Sequence, residues 1–210
     1  MSQRNQQVVR IEEQLMEELE GCKGREEVYA FVQGGVFGLF QAAEKDRQLP
    51  SVVGSYPRLV AATMRVLRER FGDYTGVGWV FSRLKGLGAD SYVIGASGEV
   101  YAEVLRARWE GFGDLGRVVE LCEEIDQNGV DPTESLVLQM REVLEQVSKD
   151  IQGVNGKTAQ ALHTREDIFA NDELGSIVGE WGRKWFVPKL GDENLLHEIE
   201  DLDDIHEAQQ

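Results

Sequence analysis

The chain writes one pattern of punctuation twice, 41 residues apart. Residues 71–90 read FGDYTGVGWVFSRLKGLGAD and residues 112–131 read FGDLGRVVELCEEIDQNGVD. Each opens on Phe-Gly-Asp and closes on Gly, one apolar residue and Asp. Gly72 and Gly113 stand where a helix ends, because glycine tolerates the left-handed turn that closes one. Asp73 and Asp114 come next, where an N-cap belongs, since a short carboxylate can accept from the first unpaired backbone N–H groups. Between the marks, Val77, Val80, Phe81 and Leu84 correspond to Val118, Leu121, Cys122 and Ile125, a helical spacing in both copies. A second amphipathic helix precedes each copy: Leu59, Val60, Thr63, Met64, Leu67, and Val100, Tyr101, Val104, Leu105, Trp109. Gly88 and Gly129 end the second helices, and the spacing predicts Asp90 and Asp131 as caps of the next helices, with Pro132 in a first helical turn. The unit is helix, turn, helix, turn. A single such hairpin buries its apolar face only against a neighbour, so the predicted fold is all-α, a short right-handed stack of helical hairpins.

The rest of the chain fits that reading. Val8, Ile11, Leu15 and Leu19 predict a first helix ending at Gly21, and Val28 through Phe40 a second that contains Gly34, Gly35 and Gly38. Each interior glycine costs about 1 kcal/mol against Ala, so close packing against a neighbour is expected there. Pro57 suits the first turn of a helix through Phe71, and Ser135–Ile151 predicts a long one. Only SYVIGA, 91–96, resembles a strand, and nothing nearby would pair with it. The expected organisation is a helical-repeat domain over 1–152, a loosely packed segment over 153–191, and an acidic, disordered tail over 192–210.

Charge limits the partners. The net charge is −16, and residues 191–210 hold eight acids with no Lys or Arg. Residues 57–112 carry eight Lys/Arg against six Asp/Glu, so an acidic total hides a basic middle. Two cysteines, Cys22 and Cys122, exclude a disulfide framework and a cysteine-based zinc site, and suit a reducing compartment. No apolar run approaches the roughly 18 residues of a membrane helix. The N-terminus mixes two arginines with a cluster of glutamates, which departs from an acid-poor transit peptide.

Few stretches carry chemistry. GVNGKT, 153–158, ends like a phosphate-binding loop, but Ile151 stands where the pattern needs its first glycine, and a helix precedes it; a linker is the better reading. No nucleophile stands at a recognisable catalytic spacing, and no metal spacing occurs, so neither catalysis nor a cofactor is expected. The arginines are more informative. Arg65 and Arg106 are equivalent under the 41-residue offset, with Arg58, Arg68 and Arg108 on the same first helices. Side by side they would make a basic stripe for a phosphate backbone; alternatively they pair with Glu69, Glu103 and Glu110. Trp181, Arg183, Lys184 and Trp185 combine stacking faces with positive charge, as single-stranded nucleic-acid sites do, although a terminal helix docking its aromatics is the more frequent use of such residues.

The run EVYAEVLRARWEGFGDLGRVVELCEEIDQNGVDP, 99–132, resembles a pentatricopeptide repeat in its early Tyr, its Gly-Asp-Leu turn and its Gly-Val-x-Pro exit. With SYPRLVAATMRVLRERF, residues 55–71, and the lead-in MEELEGCKGREEVYAFVQGGVF, it is similar to the C-terminal domain of the fungal mitochondrial transcription factor two-like family, over residues 10–150. The resemblance implies a pentatricopeptide-like or tetratricopeptide-like α-solenoid in the mitochondrial matrix, supporting transcript processing, stability and translation. It implies as partners single-stranded mitochondrial RNA, or the mitochondrial RNA polymerase and translation factors. The places where such repeats read a base fall at Ala102 or Glu103 and at Thr133, so no one-base code is expected. The alternative is a protein-interaction scaffold without RNA contact.

Overall fold

The two copies of the repeat fold into two helical hairpins with nearly the same corners. In the computed structural model, which describes residues 3–48 and 52–185, the first hairpin is α4 (Tyr56–Phe71) and α5 (Tyr74–Gly86), and the second is α7 (Gly98–Phe112) and α8 (Leu115–Gln127). Gly72 and Gly113 close the first helices at φ +59° and +58°. The next N–H in each then turns back to the carbonyl six residues earlier, Asp73 to Leu67 at 2.9 Å and Asp114 to Arg108 at 3.4 Å. Asp73 accepts from the Gly76 N–H at 2.8 Å, and Asp114 from the Arg117 N–H at 3.0 Å. The matched pair of signals thus produces a matched pair of turns.

The outer signals behave differently. SYVIGA forms α6 (Ala89–Gly95), a short helix between the hairpins whose N-cap is Gly88; Asp90 lies in its first turn and does not cap it. The expected cap at Asp131 is also displaced. A residue before proline is held extended, so the chain enters α9 (Glu134–Ile151) only after Thr133, whose hydroxyl accepts from the Leu136 N–H at 3.2 Å.

At the N-terminal end, α1 (Gln3–Gly21) lies along α4 and α2 (Arg25–Phe31). The predicted second helix is not uniform: a π turn over Val32–Val36 joins α2 to α3 (Phe37–Lys45) and holds both Gly34 and Gly35. A Cβ on Gly35 would stand 3.2 Å from Leu15 Cδ2 and 3.3 Å from the Phe31 ring, so the expected close packing falls here. Gly34 meets nothing within 4 Å.

Beyond residue 152 the expected loosely packed segment is corrected over its described part. After α10 (Lys157–Leu162), which buries no residue, α11 (Arg165–Trp185) packs along α8 and α9. It buries Leu174, Val178 and Trp181 in the same continuous core that runs from Val28 and Phe37 through Tyr56, Leu67, Tyr101 and Leu121 to Met140. The reason is spacing: 174, 178 and 181 recur at four and three residues and form one helix face. Thus α9 and α11 make a third hairpin with α10 inserted in its connection. Residues 186–191 and the acidic tail lie outside the described residues.

The stack is not uniform. α4 and α7 lie closely against each other, whereas α9 meets α7 over less of its length and packs chiefly on α11. A gap is left between α7 and α9. Among the described residues there is no strand, and no helix is long and apolar enough to cross a membrane.

Candidate functional site

Glu103, on α7, is a carboxylate in the core, 1% exposed and flanked by the buried Ala102 and Val104. A charge taken from water that far needs a partner of opposite sign and good hydrogen bonds. Two arginines of the neighbouring α4 provide them. Arg65 Nε donates to Glu103 Oε1 at 2.9 Å, and Arg68 Nε donates to Oε2 at 3.1 Å. Arg68 is itself buried, and its remaining nitrogens reach Glu110 at 3.2 Å and Glu69 at 2.8 Å. Burial opposes the charge of Arg68, but Glu103, Glu110 and Glu69 outweigh it and raise its pKa further. Arg106 stands 4.0 Å from Glu103 and donates from Nε to Gln139 of α9 at 2.8 Å.

The repeat explains the register. Arg65 with Arg106, and Glu69 with Glu110, are pairs at the 41-residue offset, so stacking α4 on α7 brings equivalent positions together. Glu103 is the departure, since its equivalent is Ala62. A glutamate inside the apolar stripe of one copy, opposite arginines of the other, was the sequence signal for this cluster.

Of the two readings of these arginines, the structure shows the ion pairs with Glu69, Glu103 and Glu110. Arg58 pairs with Glu12 of α1 at 2.7 Å, and Arg65, Arg68 and Arg106 converge on Glu103. Arg108 lies over the Phe112 ring at 5.6 Å. The cations meet carboxylates, an amide and a ring of their own chain because stacked first helices align acids with bases as readily as bases with each other. The C-terminal candidates separate. Trp181 is fully buried and donates from Nε1 to Asp126 of α8 at 2.8 Å. Arg183 and Lys184 are exposed on the last turn of α11, and the side chain of Trp185 lies outside the described residues.

A second polar knot, not anticipated from the sequence, joins the other layer. Glu124 Oε1 of α8 accepts from Tyr92 of α6 at 2.7 Å, Tyr101 of α7 at 2.8 Å and Lys85 of α5 at 2.6 Å. Asn128 donates to both phenols, at 2.7 and 3.2 Å. Burial pushes the Glu124 carboxyl up, but Lys85 and the two phenols outweigh it and hold its pKa below the ordinary value. Burial and then the Tyr92 and Glu124 contacts push the Tyr101 phenol well up. Each polar group faces a partner inside the knot, which locks four helices.

Among the described residues, one groove open to solvent lies between α7 and α9. Two pockets, of about 760 and 680 Å³, adjoin there through Trp109, Glu110 and Gln146. Trp109 Nε1 donates across the gap to Gln146 Oε1 at 3.4 Å. Among the described residues, no three His, Cys, Asp or Glu side chains converge as metal ligands.

These features define an all-α protein built of stacked helical hairpins, with an open groove between α7 and α9. Residues 5–184 match the Mtf2 family, and the chain belongs to it, which makes it a mitochondrial gene-expression factor. No curated protein and no solved structure matches the chain.

Proposed function

We propose that this chain is a non-catalytic factor of the mitochondrial matrix that supports transcript processing and translation by holding a protein of the RNA-handling machinery. The RNA polymerase and the translation factors are the partner classes its family suggests. The observation that carries this reading is the engagement of the arginines. A phosphate contact needs an unneutralised cation, and counterion release from nucleic acid rewards only such cations. Arg68 faces three carboxylates, and Arg65 and Arg58 one each. The groove beside them is rimmed by more acids than bases, so a polyanion approaching it is repelled.

A second reading, single-stranded RNA held at the end of α11, is favoured by the exposure of Arg183 and Lys184. Fluorescence anisotropy of the full chain with labelled single-stranded mitochondrial transcript fragments, from about 50 to 200 mM salt, decides between them. The protein-holding function expects no micromolar binding at either salt. Tight binding that falls steeply with salt and disappears in Arg183→Glu/Lys184→Glu would establish the second reading. The same behaviour lost instead in Arg65→Glu/Arg106→Glu, with the fold checked by circular dichroism, would restore the phosphate stripe.

A further inference from the structure

We infer that the groove between α7 and α9 is a docking site for a lysine- or arginine-rich amphipathic helix of a partner protein. The inference rests on the protein-holding function proposed above and names the chemistry of what is held.

The groove runs beside the exposed face of α9 from Glu134 to Asp150, which at 1.5 Å per residue is about 24 Å, the length of a helix of roughly 16 residues. Its lining mixes charged and polar side chains with exposed apolar ones. Leu138 is 46% exposed, Phe112 52% and Leu162 75%, with Trp109 half-buried between them. Val93 and Phe169 are exposed elsewhere, but neither lines these two pockets. Here α9 packs less closely on α7 than α4 does, and the groove between them presents side chains that a third helix would meet.

Charge selects the sign of the occupant. The two pockets are lined by six carboxylates and two guanidiniums. Both guanidiniums, Arg68 and Arg106, already face Glu103 from α7. Glu134 and Glu142 on α9, and Asp150 and Asp167 at the far end, line the groove with Trp109 and Leu138. Asp150 has only neutral or histidine partners, Asn155 and His163. An apolar helix face seated on Trp109 and Leu138 would therefore place its flanks beside uncompensated negative charge, which favours lysine or arginine there and rejects glutamate.

The test uses the full chain and two labelled synthetic peptides of about 18 residues, a helix long enough to span the groove. Both carry leucine at helical i, i+3, i+4, i+7 spacing; one has lysine at the remaining positions and the other glutamate. Two variants carry the same change in net charge: Glu134→Lys/Glu142→Lys in the groove, and Asp172→Lys/Glu173→Lys on the exposed face of α11. The lysine peptide is expected to bind in the micromolar range and the glutamate peptide not to bind. Affinity should fall about tenfold or more in the groove variant. It should change by less than about twofold in the α11 variant, since distant exposed charges are screened. Equal loss in both variants would reduce the effect to non-specific attraction and overturn the inference. So would self-association of the chain that the groove variant abolishes, because a second copy would then be the occupant. If neither the lysine peptide nor RNA binds, this inference alone fails; steeply salt-dependent RNA binding removes the protein-holding function as well.

Discussion

Glu103 and its arginines show how unequal the members of one ion cluster are. Arg65 is 52% exposed, while the side chains of Arg68 and Glu103 are 8% and 2% exposed. Removing the charge of Glu103 leaves the buried Arg68 only the half-exposed Glu69 and Glu110, whereas removing Arg65 leaves Glu103 with Arg68. Glu103→Gln is expected to cost about 1–3 kcal/mol in urea unfolding, and Arg65→Ala about 1 kcal/mol or less. Glu124 gives a pH signature at the same scale. Its pKa is depressed in the folded chain, so its contribution is fully present above the ordinary carboxylate value and is lost as pH falls through the depressed one. Glu124→Gln is expected to cost about 1–3 kcal/mol at neutral pH. That difference from wild type should hold down to about pH 5 and close as the pH is lowered further. A gap independent of pH to full acid unfolding would show that the charge of Glu124 is not what matters.

At the scale of elements, identical letters carry different weight. Asp73 and Asp114 cap α5 and α8 in the same way, but Asp73 also accepts from the Tyr29 phenol of α2 at 2.7 Å. Burial, and after it Asp73, pushes Tyr29 up to about 12, so the phenol stays a donor across the working pH range. Asp114→Ala should therefore cost about 1 kcal/mol, and Asp73→Ala about 2 kcal/mol because a second hydrogen bond goes with it. Equal losses in urea titrations would show that the Tyr29 contact adds nothing. α11 owes its position to its buried face. Trp181→Ala removes a fully buried ring and a bond to Asp126, and an expected loss of about 3–5 kcal/mol would be read from the same titrations.

For the whole molecule, the docking of α11 moves the boundary that composition implied. A chain cut after residue 152 would expose the faces of α8 and α9 that Leu174, Val178 and Trp181 cover. It is expected to elute as aggregate in gel filtration and to melt at lower temperature than the full chain; a monomer of unchanged stability would restore 1–152 as an independent unit. The same region reaches the groove. One end of it is lined by Leu162, His163 and Asp167, from a segment whose sequence, polar and glycine-interrupted, reads as a linker and then a basic-aromatic stretch.

The two inner turns were legible from the sequence because each is made by its own residues: a left-handed glycine and an aspartate three positions from the N–H it caps. Helix faces were legible for the same reason, since periodicity is a property of the chain. The stretch around Asp131 misled because proline restrains the residue before it and hands the cap to Thr133. The arginines left two readings open for a deeper reason. A one-dimensional count placed eight bases against six acids over residues 57–112, but pairing depends on which residues the stack brings within hydrogen-bond reach, and Glu103 sits 38 residues from Arg65 and 35 from Arg68. By itself the sequence determined the two repeated hairpins and the helices up to Ile151, with their order, all set by contacts short along the chain. Only the tertiary structure decided which charges cancel, where α11 docks and where the stack stays open, because electrostatics and burial act through distance in space and not along the chain.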